Sequence, residues 1–299
     1  MKPKKTTERT YMISRANIVS TAVLMLKGGV IGVANIIPGV SGGTLAVVLG
    51  VYDRLIEAIT GFFERPEDRL RYLVFLGKIF LGAAVSILLL AGLMDHLLNY
   101  HYHKTMFLFM GLILGGVPSV LRSHGDMSLK PARAMAFLLG GAIVIALSVA
   151  GGGEMGQADV TVVVSAGPAN RFMMLLSGFF AGGAMIVPGV SGSFVLVLLG
   201  RYSEVINAIK SLDTVTLLLV AAGAGLGVLA FSEVIKRCLE KIPAVTYYFI
   251  LGLIFASFYR IFPGVPSGAA GAALCVLSFL AGAGAGYSMA RLSGNSVRP

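Results

Sequence analysis

One short phrase occurs twice in the chain, and each copy interrupts an apolar run. Residues 37–44 read IPGVSGGT, and residues 187–194 read VPGVSGSF. Proline lacks an amide hydrogen and disfavours helix at the residue before it, while glycine loosens the backbone further. Neither apolar run can therefore be one straight helix.

The similarity between the two halves extends beyond this phrase. At an offset of 150 positions, five residues after the first copy recur after the second: Gly50, Tyr52, Ile56, Ala58 and Ile59 match Gly200, Tyr202, Ile206, Ala208 and Ile209. After a gap of about nine residues, residues 111–113 recur as 252–254. We interpret the chain as a duplication whose working part lies at the two breaks.

The composition is that of an integral membrane protein. Hydrophobic residues make up 56% of the chain and charged residues 13%, with a mean hydropathy of +0.85. The net charge of +10 sits in short segments between apolar runs, which indicates membrane topology rather than nucleic-acid binding. Cys238 and Cys275 lack the CxxC spacing of a metal or redox site. We expect an all-α polytopic membrane protein without a metal or cofactor.

The apolar runs predict two re-entrant helical hairpins and six spans. The ten residues 28–37 reach about 15 Å as a helix, half of a hydrocarbon core of about 30 Å. Each predicted repeat therefore holds one hairpin and three transmembrane helices. The predicted segments are a cytoplasmic tail and interfacial helix (1–27), repeat 1 (28–150; hairpin 28–60, spans 73–93, 105–121 and 134–150), an external loop (151–171), repeat 2 (172–290; hairpin 172–209, spans 217–235, 245–259 and 269–290) and a cytoplasmic tail (291–299).

The basic residues predict the orientation of these segments. With both termini cytoplasmic, the inner segments carry 17 of the 24 Lys and Arg residues and the outer segments five, as the positive-inside rule requires. Three spans separate the hairpins, so the second repeat is predicted to be inverted relative to the first. Extending each hairpin arm into a full span leaves this parity unchanged, and that alternative stays open.

The two breaks have the chemistry of an anion site. The helices that follow them would point their N-termini at the membrane midplane, where unpaired amides and the helix dipole favour an anion. The predicted substrate-binding residues are Ser41, Gly42, Gly43, Thr44, Ser191, Gly192 and Ser193. Carbonyls at the ends of the preceding helices would suit a coupling proton or cation. The alternative is that both breaks are simple kinks.

Residues 39–43 also fit G-x-S-x-G, which suggests an intramembrane serine hydrolase. A serine nucleophile needs a base within hydrogen-bond reach, usually histidine. The four histidines, His96, His101, His103 and His124, all lie at or beyond the ends of predicted spans. We therefore expect no catalytic residue, and solvated loop positions for the His-x-His pair rather than a zinc site.

Four charged residues are candidates for binding a head group or for coupling transport to an ion: Lys78, Arg260, Glu57 and Glu233. Charge inside a membrane is costly and is a functional candidate for that reason. Lys78 lies most plainly within a span, near its inner end. The alternative for all four is anchoring at the interface, where long side chains reach water.

The paired motif resembles the PopT-type undecaprenyl phosphate (polyprenyl phosphate) translocases, bacterial membrane proteins formerly filed as a domain of unknown function. It comprises Gly28, Gly29, Gly32, Asn35, the phrase 38–44, Gly50 and Tyr52, and then the phrase 188–193, Gly200 and Tyr202. The resemblance covers about residues 27–287. It implies a flippase of the bacterial cytoplasmic (inner) membrane that returns this lipid carrier from the outer to the inner leaflet, recycling it for peptidoglycan synthesis.

A second function class uses the same helix ends. A channel or antiporter for a small inorganic anion would also place amides and hydroxyls at the breaks. A lipid route needs a side opening toward the bilayer, whereas an ion route needs an axial pore sealed from lipid. The sequence alone leaves both arrangements open.

Overall fold

The computed structural model describes residues 4–35, 37, 40–122, 126–150, 168–266 and 268–296. Its side chains are described within residues 20–291 of these ranges, apart from 119, 122, 168, 169 and 260. This part of the chain is helical and contains no strand. The helices are α1 Lys4–Asn35, α2 Gly42–Val48, α3 Tyr52–Glu64, α4 Arg69–Tyr100, α5 Tyr102–Arg122, α6 Pro131–Ala150, α7 Pro168–Ile186, α8 Gly192–Leu198, α9 Tyr202–Ser211, α10 Thr214–Lys241, α11 Pro243–Ile261 and α12 Ala269–Ser296.

Several of these helices suit a bilayer. Four are long and apolar enough to cross one, over Pro66–Tyr100, Pro131–Ala150, Thr214–Lys241 and Ala269–Arg291. The pair α8 and α9 is bent by 112° and would count as a fifth crossing or as a re-entrant loop. The prediction of an all-helical, multi-pass membrane protein is confirmed.

The first helix is longer than the sequence suggested. We expected an interfacial helix that ends at residue 27 and a separate hairpin arm that begins at residue 28. The structure instead has one continuous helix over Lys4–Asn35. Residues 4–35 contain no proline, so the helix continues through the change from polar to apolar sequence.

In each predicted hairpin the return arm consists of two short helices rather than one, α2 and α3 in the first half and α8 and α9 in the second. Gly50 and Gly200 adopt positive φ angles of 66° and 67° directly after α2 and α8. Their amides bond to Val47 O and Val197 O, and the following residues bond one position further back. This is the Schellman arrangement, in which a left-handed glycine ends a helix. Because this glycine occurs in both repeats, each repeat has a second helix break after the first one.

The chain folds back on itself between α1 and α2, and again between α7 and α8. Gly42 at the start of α2 lies beside the side chain of Asn35, at the end of α1. Gly192 at the start of α8 approaches Ala181 and Met185 in α7. Both return arms therefore begin against the helix that precedes them.

In each half, the helix before the break packs along the long helix that follows the return arm. In the first half, Thr21 of α1 contacts Lys78 of α4, and Gly29 lies against Ser86. The contacts advance by eight residues on both helices, so α1 and α4 run in the same direction. Glycine permits this close approach because it has no Cβ.

The second half repeats the same arrangement. Gly178 of α7 lies against Val220 of α10, and Gly182 lies against Ala224. These contacts advance by four residues on each helix, so α7 and α10 also run in parallel.

The remaining long helices exchange partners between the halves. Helix α5 packs on α12, and α6 packs on α11. Gly111 and Gly115 of α5 lie against Phe279 and Ala283, so α5 and α12 run in the same direction. The two halves are joined by this exchange, with the main apolar cluster between them.

Candidate functional site

The two breaks meet inside the protein. The amide of Gly189, in the second break, donates a hydrogen bond to the Thr44 hydroxyl at the start of α2, with an N–O distance of 2.7 Å. The Tyr52 hydroxyl donates to the carbonyl of Ile186, the last residue of α7, at 3.0 Å. Both bonds are buried. The structure therefore brings together residues that the sequence placed in separate repeats.

The predicted substrate residues differ in burial between the two breaks. Ser41, Gly42 and Thr44 are buried and Gly43 is half-buried. In the second break Ser193 is exposed, and its hydroxyl lies 2.8 Å from that of Ser191. Ser41 and Ser191 both precede their helices in extended conformation, and neither side chain caps the helix start. Pro38 and Gly39 of the first phrase lie outside the described residues.

A buried lysine binds the C-terminal end of α2, the helix that follows the first break. Lys27 is 2% exposed, and its Nζ donates to the carbonyl of Leu49, the C-cap residue of α2, at 2.9 Å. A cation at a helix C-terminus is favoured by the helix dipole and satisfies a carbonyl that has no partner within the helix. The position 150 residues later is Ser177, so the second repeat lacks this lysine.

Three of the four candidate charges lie in the described part of the molecule. Lys78 Nζ donates to Thr21 Oγ1 at 2.8 Å. Glu57 lies 3.6 Å from Arg65. Glu233 pairs with Arg237 one turn along α10 at 2.6 Å, an exposed helix-surface pair. The side chain of Arg260 lies outside the described side chains.

Glu57 borders two cavities. The first, of about 270 Å³, lies between α3 of the first half and α10 and α11 of the second. In its wall, Tyr247 Oη donates to the Asp53 carboxylate, at 2.6 Å and 2.5 Å from the two oxygens, and Lys236 pairs with Glu64. These contacts tie α3 to the other half of the molecule.

The second cavity is a cleft of about 500 Å³ between α1, α3 and α4. Its lining includes three basic side chains, Arg54, Arg71 and Lys78, together with Glu57 and Glu67. Apolar residues of α4, including Leu70 and Val74, complete the wall. Leu70 is 74% exposed. The cleft thus combines cations with a surface suited to lipid.

The corresponding end of the second half has a different charge arrangement. Arg201 donates to the Glu204 carboxylate at 2.7 Å, and Asn170 bridges the pair with bonds to both residues. Glu204 has only 8% of its side chain exposed. The opposite charges therefore satisfy each other.

Electrostatics outside the spans stabilises segment ends. The Arg133 guanidinium, the Ser128 hydroxyl and amide, and Lys130 hold the pKa of Asp126 below its usual value. Hydrogen bonds from the Thr216 hydroxyl and amide lower the pKa of Asp213, the N-cap of α10. The hydrogen bond from Lys236 lowers the pKa of Glu64. In the described residues, His, Cys, Asp and Glu form no group of three that could hold a metal.

Comparison with known proteins identifies the family. A family model described as undecaprenyl phosphate translocase-like matches residues 31–270. The chain belongs to this family. The match includes both breaks, both Schellman glycines and all three basic residues of the cleft, and the resemblance found in the sequence is confirmed.

Two relatives of this chain carry functional names. A protein of Vibrio cholerae named polyprenyl-phosphate transporter is 32% identical over 255 residues, which cover 80% of this chain and 76% of the relative. A protein of Staphylococcus aureus with the same name is 31% identical over 253 residues, covering 81% and 87%. No solved structure gives a significant match.

Sequence reasoning missed several residues of the candidate site. It did not single out Arg54, Arg71, Asp53 or Tyr247, because these partners are brought together only by the packing of α3 against α4 and α11. Tyr52 carried a signal, since it recurs as Tyr202. The two tyrosines nevertheless differ in role, because Tyr52 is buried at 3% exposure and Tyr202 is 41% exposed.

Proposed function

We propose that this protein returns undecaprenyl phosphate from the outer to the inner leaflet of the bacterial cytoplasmic membrane, as a transporter rather than an enzyme. The observation that carries the proposal is the buried bond between Thr44 and Gly189, which joins the two breaks of a chain in the undecaprenyl phosphate translocase-like family. The lipid carrier would then be reused in cell-wall polymer synthesis.

The physical problem in such transport is the phosphate head. Moving a charged group into bare hydrocarbon has a prohibitive free-energy cost, whereas the apolar prenyl tail is stable in lipid. A polar seam between two repeats would let the head cross while the tail stays in the bilayer. Backbone amides and the hydroxyls of Ser41, Ser191 and Ser193 would supply donors along that seam.

The packing supports inverted repeats. Helices α1 and α4 run in parallel, as do α7 and α10, and α5 and α12. Because successive spans alternate in direction, α10 has the direction of α12 and therefore of α5, opposite to α4. Helix α7 then runs opposite to α1. The two Pro-Gly phrases would be reached from opposite membrane faces, the arrangement used for alternating access.

The conformation described here has the seam closed at the breaks. Opening it would separate Thr44 from Gly189 and Tyr52 from Ile186, so these two bonds are the proposed gate. A coupling proton or cation would act on a carboxylate outside this gate. Glu57 is the candidate because it borders both cavities on α3.

Purified protein in liposomes tests the function. Undecaprenyl phosphate placed in one leaflet should appear in the other, measured by its accessibility to an added phosphatase, while protein-free liposomes show no movement. Flux of chloride or inorganic phosphate without lipid movement would favour the anion-channel alternative. Hydrolysis of the lipid phosphate that is lost in Ser41→Ala and kept in Ser191→Ala would favour the hydrolase alternative.

A further inference from the structure

The cleft between α1, α3 and α4 has an excess of unpaired positive charge. Arg54, Arg71 and Lys78 line it, and among the described side chains none of the three forms an ion pair. Arg54 and Arg71 lie close enough to repel each other electrostatically, whereas Glu57, which also lines the cleft, attracts Arg54 without forming an ion pair. Such an arrangement is unfavourable without a bound anion or solvent to screen it.

Two of the three basic side chains, Arg54 and Lys78, contact uncharged groups. Arg54 lies over the ring of Phe75, with Cζ 4.7 Å from the ring centre, a cation–π contact. Lys78 donates to the Thr21 hydroxyl, which is an uncharged acceptor. These contacts orient the cations without neutralising them, which leaves their charge available to a ligand.

Comparison of the two halves isolates this feature. Arg54 occupies the position that is Glu204 in the second half, 150 residues later. There the carboxylate closes an internal pair with Arg201 and Asn170. In the first half an arginine stands in its place and faces a second arginine. The two halves therefore share this position in the backbone but differ in charge, with a satisfied pair in the second half and two neighbouring arginines in the first.

The wall of the cleft decides which anion fits. Leu70 and Val74 line it and are 74% and 48% exposed, and the neighbouring Leu73 and Phe80 of α4 are also exposed. On a helix that crosses the membrane, such residues face lipid chains. A free inorganic anion gains no binding energy from this apolar surface. A lipid with an anionic head would contact both the basic side chains and the apolar wall.

We propose that this cleft binds the phosphate head of a polyprenyl phosphate through Arg54, Arg71 and Lys78, while the prenyl tail leaves sideways along Leu70 and Val74 into the bilayer. This inference rests on the proposed function and gives it a lateral docking site. Arginine suits the role because its planar guanidinium binds phosphate oxygens in pairs. By the positive-inside rule the cleft lies in the cytoplasmic leaflet, where the lipid is released.

A photo-crosslinking experiment tests the site in the full-length protein. A photoreactive amino acid replaces Val74, at the cleft, or Leu88, which is 81% exposed on the same helix. The two positions are about 21 Å apart along α4. In phosphatidylcholine nanodiscs, radiolabelled undecaprenyl phosphate should crosslink strongly at position 74 and weakly at 88. Unlabelled undecaprenyl phosphate should compete, whereas the uncharged prenol and phosphatidylglycerol should not.

Variants then assign the charges. Arg54→Gln combined with Arg71→Gln should reduce crosslinking at position 74 by about tenfold or more, and Lys78→Gln should reduce it less. Lys241→Gln removes one exposed lysine elsewhere and should change nothing. If the double glutamine variant does not fold, Arg54→Lys with Arg71→Lys keeps the charge but loses the paired hydrogen bonds, and should show an intermediate loss.

Three outcomes would overturn the site: equal crosslinking at positions 74 and 88, undiminished crosslinking in the arginine variants, or competition by inorganic phosphate alone as effective as that by the lipid. The site and the function fail separately. Specific crosslinking at position 74 in a protein that moves no lipid in liposomes refutes transport but keeps the site. Normal lipid movement by the double glutamine variant refutes the site but keeps transport.

Discussion

The hydroxyl of Thr44 accepts a hydrogen bond from the backbone amide of Gly189, 145 residues further along the chain, at an N–O distance of 2.7 Å. Thr44 is 1% exposed, so water cannot replace it as the acceptor. The phrase of the second repeat is thereby hydrogen-bonded to Thr44, the last residue of the phrase in the first repeat, which lies in the first turn of α2.

Thr44→Val removes this acceptor at almost constant volume. Because the Gly189 amide would then be buried without a partner, we expect a loss of about 1–3 kcal/mol in stability. Thermal unfolding in detergent should show a lower Tm. Thr44→Ser keeps the hydroxyl and serves as the control, with a Tm closer to wild type. Equal Tm values for the valine and serine variants would contradict the role of this bond.

Tyr52 and Tyr202 occupy equivalent positions and offer an internal control. Tyr52→Phe removes the buried bond to the Ile186 carbonyl and should cost about 0.5–1.5 kcal/mol. Tyr202→Phe changes a residue that is 41% exposed and should leave the Tm near wild type. If the Tyr52 bond belongs to the gate, its loss should also change the lipid transport rate. A larger effect at Tyr202 would reverse this assignment.

Two glycines separate backbone strain from steric overlap. Both have positive φ, 80° at Gly189 and 67° at Gly200. A Cβ at Gly200 would meet nothing within 4 Å, so Gly200→Ala reports strain alone, about 1–2 kcal/mol. A Cβ at Gly189 would lie 2.6 Å from the Leu253 carbonyl oxygen. Gly189→Ala should therefore lower the Tm more than Gly200→Ala does. Equal decreases in Tm would mean that α11 moves away from position 189 at almost no energetic cost.

Cysteine labelling tests the inversion of the repeats. In a chain with Cys238 and Cys275 replaced by alanine, Glu67→Cys and Ser211→Cys place a thiol near the base of each return arm. Inverted repeats predict labelling of Glu67→Cys from the cytoplasmic side and Ser211→Cys from the outside, using a membrane-impermeant maleimide. Labelling of both from one face would mean parallel repeats.

The Asp126 segment should show a specific pH dependence. Its folded pKa lies below the ordinary value of 3.8, because Arg133 and Ser128 bind the ionised carboxylate. A lowered folded pKa contributes stability that is complete above the unfolded pKa and is lost as pH falls through the folded value. Pepsin cleavage between about pH 2 and pH 5 measures this. Asp126→Asn should be cut faster near pH 5, with the difference narrowing below pH 3.8, while a constant difference would refute the ionic cause.

Much of this protein can be predicted from local sequence. Apolar runs determine that the chain enters the membrane as helices, since the bilayer leaves a helix few alternatives for its backbone hydrogen bonds. The duplicated phrase locates both turns, because proline and glycine act on their own backbone. The family resemblance also follows from these residues. Gly50 and Gly200 mark the second break in each repeat. Only their positive φ angles, which the structure gives, show that these glycines end a helix.

Contacts between distant residues were decided only by the tertiary structure. Helix propensity does not state which helix packs against which, so Thr44 meeting Gly189, and Tyr247 meeting Asp53, follow from the exchange of partners between the halves. The burial of Ser41 and the exposure of Ser193 have the same origin. Arg54 lies on α3, an amphipathic helix, whereas Arg71 and Lys78 lie on the largely apolar helix α4. They form one positive cleft because α3 folds back beside α4, and repulsion and attraction between charges depend on distance in space rather than along the chain.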